Sequence, residues 1–338
     1  MAEESGLGLY LGVDVGSVST NFVLLDPNKP RGEEVVWTKY LRTQGAPITA
    51  PKMGLTMLAK EGDWEISGVG TTGSGRELAG AILSADIVKN EITAHAMAAL
   101  RLDPNVSTIL EIGGQDSKLI VLRDGVVVDF AMNTVCAAGT GSFLDQQASR
   151  LGIPIAEFGS LALESKNPVR IAGRCTVFAE SDMIHKQQLG IKISDIVAGL
   201  CSAMVRNFLT NLAKGKELRP TVFFQGGVAA NLGMRRFFEE ALQLPIIVPP
   251  NFDVMGAIGI AQLAMEQLRT QKKKTSFAGL EKVLKSEFTN HSYECKDCPN
   301  NCEVVEIWSN DGFIASWGAR CGRQGSKERK HLAGASIL

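Results

Sequence analysis

The sequence has few aromatic residues and almost no net charge. Aromatic side chains make up 6% of the 338 residues, and 35 Lys and Arg offset 36 Asp and Glu, leaving a formal net charge of -1. This balance gives no electrostatic reason to expect a whole-chain affinity for nucleic acid or for a membrane surface, so neither is expected as a partner. Glycine is frequent instead, with 35 residues, which suits a main chain that approaches phosphate groups closely.

Membrane-length apolar runs and a secretion signal are also missing from the sequence pattern. The longest apolar candidates, such as residues 254–265, are shorter than the roughly 18 residues of a membrane span and contain glycine. Residues 1–5 have neither the basic nor the apolar region of a signal peptide. The seven cysteines cannot all pair, so we expect thiols, metal ligands or cluster ligands in a reducing, cytoplasmic protein.

The length favours about two domains, and the 45% apolar content is enough for a substantial core. Strand-like segments at 20–25, 66–70, 119–122 and 221–224 alternate with helix-like segments at 91–100, 194–212 and 255–268, which predicts an α/β fold. A strand, a glycine-rich polar turn and a second strand occur twice, 97 residues apart when Asp14 is aligned on Glu111. This repeat predicts two related lobes.

Glycine-rich turns follow three of the predicted strands, at 12–20, 111–118 and 225–229. Main-chain N–H groups in such turns can bind phosphate oxygens because no Cβ is in the way. Two of the turns carry acids, Asp14 in the first and Asp116 in the second, that could hold Mg2+ through its waters and orient an attacking water. Any one turn could equally be only a tight hairpin, but the three together favour a phosphate site.

The turns at 12–17, 113–118 and 225–228 resemble the phosphate-1, phosphate-2 and adenosine motifs of the actin, hexokinase and sugar-kinase ATPase superfamily. More narrowly, residues 113–118, 133–141 and 173–183 resemble the activator ATPases of 2-hydroxyacyl-CoA dehydratases and the ATPase subunits of benzoyl-CoA reductase, a resemblance that covers about residues 8–268. It implies two ribonuclease H-like lobes with ATP in the cleft. The lobes would be residues 8–105, completed by the helix at 255–268, and residues 106–254.

The resemblance also implies the site residues. Asp14, Gln115 and Asp116 are expected to be catalytic and to contact ATP with Mg2+. The other expected contacts are Gly12, Gly16, Ser17, Ser19, Thr20, Gly73, Glu111, Gly113, Gly114, Lys118, Gly226, Gly227 and Val228.

Cys136 and Cys175 each lie where a loop is expected to enter a helix, whose N-terminus would stabilise a thiolate. Burial in the core is the alternative interpretation, and the one we favour for Cys201 inside a predicted apolar helix. Two thiolates cannot complete a four-thiolate set, so a cluster would need a second chain. In the resembled activators one 4Fe-4S cluster bridges a homodimer through two such cysteines per chain, which implies that Cys136 and Cys175 are ligands.

The carboxy-terminal residues change character. Residues 269–289 are rich in lysine and predict a linker, and residues 290–325 carry Cys295, Cys298, Cys302 and Cys321 around a predicted hairpin of strands at 303–308 and 313–317. A module this small cannot fold on apolar burial alone and needs a stabilising cross-link, so we expect the four thiolates to bind Zn2+ or a second iron-sulfur cluster. The short activators lack this extension, so the resemblance does not decide between the two.

The favoured function is an ATP-dependent reductase or activator. ATP would close the lobes, move the helices that begin at Cys136 and Cys175, and so alter the bridging cluster. By resemblance, ferredoxin or flavodoxin donates electrons, and the acceptor is an iron-sulfur enzyme: a dehydratase, a benzoyl-CoA reductase or a double-cubane-cluster reductase. The alternatives are a sugar or carboxylate kinase of the same superfamily and a metal-stapled regulatory or chaperone ATPase.

Overall fold

The computed structural model describes residues 8–134 and 136–321. Its first lobe contains strands β1 (Leu9–Val15), β2 (Ser19–Leu25), β3 (Val35–Arg42), β4 (Ile66–Thr72) and β5 (Ile87–Val88), and helices α1 (Thr49–Glu61), α2 (Arg76–Leu83) and α3 (Glu91–Leu102). The sheet order is β3-β2-β1-β4-β5. Strands β1 to β3 form antiparallel pairs, whereas β4 lies parallel to β1 and β5 lies parallel to β4.

The second lobe repeats this arrangement. Its strands are β6 (Thr108–Ile112), β7 (Ser117–Arg123), β8 (Val126–Asn133), β9 (Val222–Gln225) and β10 (Ile246–Ile247), and its helices are α4 (Gly141–Leu151), α5 (Ile155–Leu163), α6 (Thr176–Gln188), α7 (Ile193–Leu212) and α8 (Leu232–Leu242). The sheet order is β10-β9-β6-β7-β8, with the same pattern of antiparallel and parallel pairs around β6 as around β1. The predicted α/β class is therefore confirmed, and these two lobes are built on two five-stranded sheets.

Helix α7 is the one helix of the described residues that is long and apolar enough to cross a membrane by length and composition. Of its most apolar 18-residue window, 61% is buried. It packs against α5 and α8 in the core of the second lobe, which explains its apolar sequence.

The chain returns to the first lobe through helix α9 (Met255–Gln271). This helix packs on β1, β4 and α3 at very short range, because glycines stand at the contacts. A Cβ on Gly12 would lie 1.9 Å from the carbonyl oxygen of Ala257, and one on Gly259 would lie 1.8 Å from that of Ala94. The glycines of β1 and α9 thus let a distant helix close over the first sheet.

Residues 269–289, expected to be a linker, are folded onto the first lobe. They contain the end of α9 and helix α10 (Leu280–Lys285). The hydroxyl of Thr275 donates to Asp86 Oδ2 at 2.7 Å, and Lys52 Nζ donates to the carbonyl of Ser286 at 2.6 Å. These contacts hold the segment in place.

The module that follows is a three-stranded antiparallel sheet where the sequence predicted a hairpin. It consists of β11 (Phe288–Glu294), β12 (Glu303–Ser309) and β13 (Gly312–Trp317), in that order. Ile307 is fully buried and packs with Val283 into the same cluster as Leu78 and Leu83 of the first lobe. The module is therefore anchored on the first lobe by its apolar face.

Candidate functional site

A polar cavity of about 100 Å³ lies where turns from both lobes meet. The turn between β1 and β2 is closed by the Gly16 N–H, which donates to the Ser19 carbonyl at 2.8 Å. The matching turn between β6 and β7 is closed by the Gly113 N–H, which donates to the Asp116 carbonyl at 3.0 Å. The turn after β9 supplies Gly226 and Gly227, so the three glycine-rich turns of the sequence line one cavity.

Glycine is required at these turns because the main chains approach one another closely. A Cβ on Gly114 would lie 2.5 Å from the Cβ of Val18 in the opposite turn. Gly226 has a φ of +84°, and a Cβ there would lie 2.4 Å from the Ile112 carbonyl oxygen and 2.6 Å from Glu111 Oε1. Side chains at these positions would fill the space that phosphate groups need.

Thirteen of the expected contact residues line the polar cavity: Asp14, Gly16, Ser17, Ser19, Gly73, Glu111, Gly113, Gly114, Gln115, Asp116, Lys118, Gly226 and Gly227. Two others do not. Gly12 packs against α9, as described above, and the Thr20 hydroxyl is buried against that of Thr43 at 2.9 Å. Both lie on strands, where the sequence motif does not distinguish a cavity position from a core position.

Lys118 joins the acids of the cavity into one buried cluster. Its Nζ lies 2.8 Å from Glu111 Oε2, 2.9 Å from Asp116 Oδ2 and 3.7 Å from Glu91 Oε1. Burial lowers the pKa of Lys118, but these carboxylates raise it by more, so its pKa lies above the ordinary value. Lys118 therefore keeps its positive charge.

Asp14 is enclosed by main chain. A Cβ on Gly73 would lie 2.4 Å from its Oδ1, and one on Gly256 would lie 2.2 Å from its Oδ2. Burial raises the pKa of Asp14 to about 7, the Glu91 carboxylate adds to the rise, and the Lys118 ammonium opposes it. Because the anionic form of Asp14 is poorly stabilised, its carboxyl group is suited to contact a cation or to accept a proton during a reaction.

The polar cavity is rich in carboxylates, but within the described residues no three His, Cys, Asp or Glu side chains are grouped to ligate a metal ion directly. The cavity is lined by the carboxylates of Asp14, Glu91, Glu111, Asp116 and Asp253 and by the ammonium of Lys118. A carboxylate-rich cavity beside turns that suit phosphate groups matches the oxygen chemistry of a hydrated Mg2+ ion, which retains waters and contacts only one or two carboxylates.

The sequence analysis missed Glu91 and His95. Asn90 begins α3 by accepting a hydrogen bond from the Thr93 N–H at 2.9 Å, and Glu91 and His95 stand one turn apart on this helix, facing the cavity. His95 Nδ1 lies 2.8 Å from Gln225 Oε1, and burial, with the Lys118 charge, lowers its pKa to about 4. The sequence did contain a signal for these two residues. A helix N-cap residue, Asn90, is followed by polar residues four positions apart, which lie on the same face of a helix.

A second cavity of about 300 Å³ adjoins the first and shares Tyr40, Gly113, Gly114 and Gly227 with it. Its walls include Leu144, Ile155 and Val228, so it is more apolar and suits a base and sugar. At its wall Arg42 of β3 forms an ion pair with Asp145 of α4 at 3.1 Å, which joins the two lobes. The two cavities together suit a nucleoside triphosphate.

Cys136 and Cys175 lie on neighbouring loops of the second lobe. The Cys136 thiol is 3.8 Å from the Arg174 carbonyl oxygen, and both cysteines are half-buried. Cys175 directly precedes α6, as expected. Cys136 instead precedes a single 3-10 turn, Ala137–Gly139, and α4 begins only at Gly141. The Asn133 side chain holds Cys136, accepting from its N–H at 2.9 Å and donating to its carbonyl at 2.7 Å.

Hydrogen bonds connect this cysteine loop to the cavity. The Gly141 N–H donates to the Gly113 carbonyl at 2.8 Å, and the Ser142 N–H donates to the Gly114 carbonyl at 2.8 Å. The first turn of α4, five residues after Cys136, is thus bonded directly to a turn that lines the polar cavity.

The remaining cysteines lie elsewhere. Cys201 is fully buried, and burial raises the pKa of its thiol to about 12, as suits a core residue. In the carboxy-terminal module Cys295 is buried, Cys298 and Cys302 are half-buried and Cys321 is exposed. Within residues 8–134 and 136–321, no three His, Cys, Asp or Glu side chains are grouped to hold a metal ion, so the expected four-thiolate site is not assembled.

Comparisons with known proteins indicate a family of ATPases. The sequence model of the BadF/BadG/BcrA/BcrD ATPase family matches residues 11–264. The 2-hydroxyisocaproyl-CoA dehydratase activator of Clostridioides difficile is 35% identical over 78% of this chain and 97% of its own length. One of the benzoyl-CoA reductase subunits of Thauera aromatica is 29% identical over 74% of this chain and 90% of its own.

Solved structures give the same result. The (R)-2-hydroxyglutaryl-CoA dehydratase component A of Acidaminococcus fermentans superposes with a TM-score of 0.71 at 32% identity, covering 78% of this chain and 100% of that one. The activator of the 2-hydroxyisocaproyl-CoA dehydratase from Clostridium difficile, solved with bound ADPNP, also has a TM-score of 0.71, at 34% identity, covering 78% of this chain and 97% of that one.

Proposed function

Because the chain belongs to the BadF/BadG/BcrA/BcrD ATPase family, we propose that it hydrolyses ATP to drive low-potential electrons from a shared 4Fe-4S cluster to an iron-sulfur partner enzyme. The observation that carries the proposal is the pair of hydrogen bonds between the Gly113–Gly114 turn and the start of α4. They connect the turn that would hold phosphate to the loop that carries a cluster ligand.

The nucleotide would lie across both cavities, with its base and sugar in the more apolar one and its phosphates at the glycine-rich turns. Mg2+ would supply charge neutralisation and bound water, held near Asp14 and Asp116. Lys118 keeps Asp116 in position, and Gln115 lies in the same turn, where its amide can orient a water. Asp14, with its raised pKa, is suited to take up a proton as the water attacks.

Cys136 and Cys175 supply two thiolate ligands from adjacent loops, which is half of the set that a 4Fe-4S cluster needs. A twofold axis beside them would bring the other half from a second chain. The surface beside Cys175 suits such a contact, because Val177 and Phe178 at the start of α6 are each 66% exposed. A homodimer would bury these side chains.

Coupling would follow from the shared loop. A change in the Gly113–Gly114 turn on binding or hydrolysis of ATP would move the start of α4, and with it the Cys136 loop and the neighbouring Arg174–Cys175 segment. Two sites that share one conformational equilibrium influence each other reciprocally. Hydrolysis would in this way control when the cluster gives up its electron.

The relatives indicate the kind of acceptor. They are named as dehydratase activators and as a component of benzoyl-CoA reductase, so we propose an acceptor of the dehydratase or reductase type that contains iron and sulfur. A reduced ferredoxin or flavodoxin would load the cluster. A reducing cytoplasm would keep the seven cysteines available for these roles.

Anaerobic purification tests the cluster assignment. We expect the wild-type protein to be a dimer with about four iron and four sulfide per two chains, and Cys136→Ser or Cys175→Ser to lose this iron. Cys321→Ser, at an exposed cysteine in the carboxy-terminal module, is the matched control and should keep it. Full iron in Cys175→Ser, or a cluster in a monomer, would refute the assignment.

A further inference from the structure

The carboxy-terminal sheet brings four cysteines to one of its ends. Antiparallel pairing places Glu294, the last residue of β11, beside Glu303, the first of β12. It also places Trp317, the last residue of β13, beside Val305 near the start of β12. Cys295 and Cys302 are the residues next to Glu294 and Glu303, so both stand at this end of the sheet.

Cys298 and Cys321 belong to the same end. The loop that contains Cys298 is closed at its base, because the Cys295 N–H donates to the Cys302 carbonyl at 2.8 Å. After β13 the chain stays close, since a Cβ on Gly318 would lie 2.2 Å from the Glu303 carbonyl oxygen. Cys321 follows only three residues later.

We propose that Cys295, Cys298, Cys302 and Cys321 bind one Zn2+ ion at this end of the sheet. Within the described residues the thiols are not yet grouped as metal ligands. Zinc binding would therefore require the thiols to rotate about their Cα–Cβ bonds and the loop that carries Cys298 to close around the ion. Each thiol releases its proton as it binds, and four thiolates satisfy the tetrahedral coordination of zinc.

Burial favours a single ion over an iron-sulfur cluster. Cys321 is exposed, and Cys298 and Cys302 are half-buried. One ion surrounded by its four sulfurs needs no further enclosure, whereas a cluster exposed on this surface would meet solvent. Cys295 and Cys298, two residues apart, have the spacing of ligand pairs in structural zinc sites.

The ion would support a sheet that has little core of its own. All residues of β11 after Phe288 are exposed. The sheet reaches the first lobe through β13, which contacts α2, and through Ile307 of β12, which is buried with Val283 of α10 in the shared core. A zinc ion would tie the free ends of all three strands together. Removing it should therefore loosen the module and lower the thermal stability of the whole chain.

The test uses the full chain with Cys136→Ser and Cys175→Ser, which removes the proposed cluster ligands and leaves any remaining metal to the module. Zinc, iron and sulfide are measured, and the protein is then loaded with Co2+ to record cobalt-thiolate absorption. Cys298→Ser is compared with Asn300→Ser, an exposed neighbour in the same loop that contributes no thiol. Cys321→Ser, at an exposed position, serves if Cys298→Ser does not fold.

We expect about one zinc per chain, the same amount in Asn300→Ser, and less than about one-tenth of it in Cys298→Ser or Cys321→Ser, with loss of the cobalt-thiolate absorption. A chelator should expose the module thiols to alkylation and lower Tm. Zinc that is absent, or that Cys298→Ser and Cys321→Ser leave unchanged, would overturn the proposal. So would iron and sulfide in place of zinc.

Discussion

At the scale of single residues, the cavity depends on Lys118. This buried ammonium contacts three carboxylates, and without it those of Glu111 and Glu91, which are largely shielded from solvent, would lose their counter-ion. Removing one partner of a buried ionic cluster leaves charge without solvent or counter-ion, which is costly.

Lys118→Met should lower the free energy of unfolding by about 3–5 kcal/mol at neutral pH. Chemical denaturation without nucleotide measures this, with Lys60→Met on the surface of α1 as the control, expected to change stability by less than about 0.5 kcal/mol. Equal stability of the two variants would contradict the buried cluster.

Asp14→Asn should abolish ATP hydrolysis and yet stabilise the protein above pH 7. The folded-state pKa of Asp14 is raised from 3.8 to about 7, so the stability it contributes below pH 4 is lost as the pH rises through 7. Asparagine does not titrate and so avoids this loss. The free energy of unfolding of Asp14→Asn should therefore exceed that of the wild type by near zero at pH 4 and by at most about 4 kcal/mol at pH 8. Chemical denaturation across this pH range measures the difference, and Asp63→Asn, at an exposed position, is the control. An Asp14→Asn protein that is less stable than the wild type at pH 8 would contradict the account.

Gly226→Ala and Gly125→Ala form a matched pair. Both glycines have positive φ, so both substitutions introduce backbone strain, and any difference between them reports steric crowding around the new Cβ. Nothing lies within 4 Å of a Cβ on Gly125, whereas one on Gly226 would lie 2.4 Å from the Ile112 carbonyl oxygen. Gly125→Ala should cost only the strain of about 1–2 kcal/mol. Gly226→Ala should in addition weaken ADP binding more than about tenfold by calorimetry, since the turn must shift. Equal ADP affinity in both variants would show that Gly226 is not part of the nucleotide site.

At the scale of elements, the exposed apolar start of α6 is the proposed dimer surface. Phe178→Glu should shift the mass measured by light scattering from dimer toward monomer, because a charge would have to be buried in the contact. Gln187→Glu adds the same charge nine residues later, on the opposite side of the helix, and should leave the dimer intact. A dimer that survives Phe178→Glu unchanged would place the interface elsewhere.

The elements also show what the sequence could predict. Both hairpins with their glycine turns, the helix after Cys175 and helices α7 and α9 follow from local pattern. Strand β11 does not, because its residues are mostly polar and exposed and it is formed by pairing with β12. The apolar residues of α10 are similarly obscured by the lysines around them. Gly12 looks like a phosphate-site glycine until α9, far along the chain, packs against it.

At the scale of the whole molecule, two lobes meet at the nucleotide cavities, and the second lobe also carries the cysteine pair. The Arg42–Asp145 ion pair and the turns that line the cavities connect the two lobes. The carboxy-terminal module is packed on the first lobe, so it would move with that lobe. Under the proposed function, a nucleotide in the cavities would change the surroundings of Cys136 and Cys175.

The central claim is that the nucleotide controls the cluster, and the rate at which a chelator removes iron from the anaerobic dimer tests it most directly. With Mg2+ present, we predict that this rate differs by at least about tenfold between ADP and a non-hydrolysable ATP analogue. The difference should disappear in Gly226→Ala at nucleotide concentrations that saturate only the wild type. Equal rates with the two nucleotides in a wild-type protein that binds both would contradict the account.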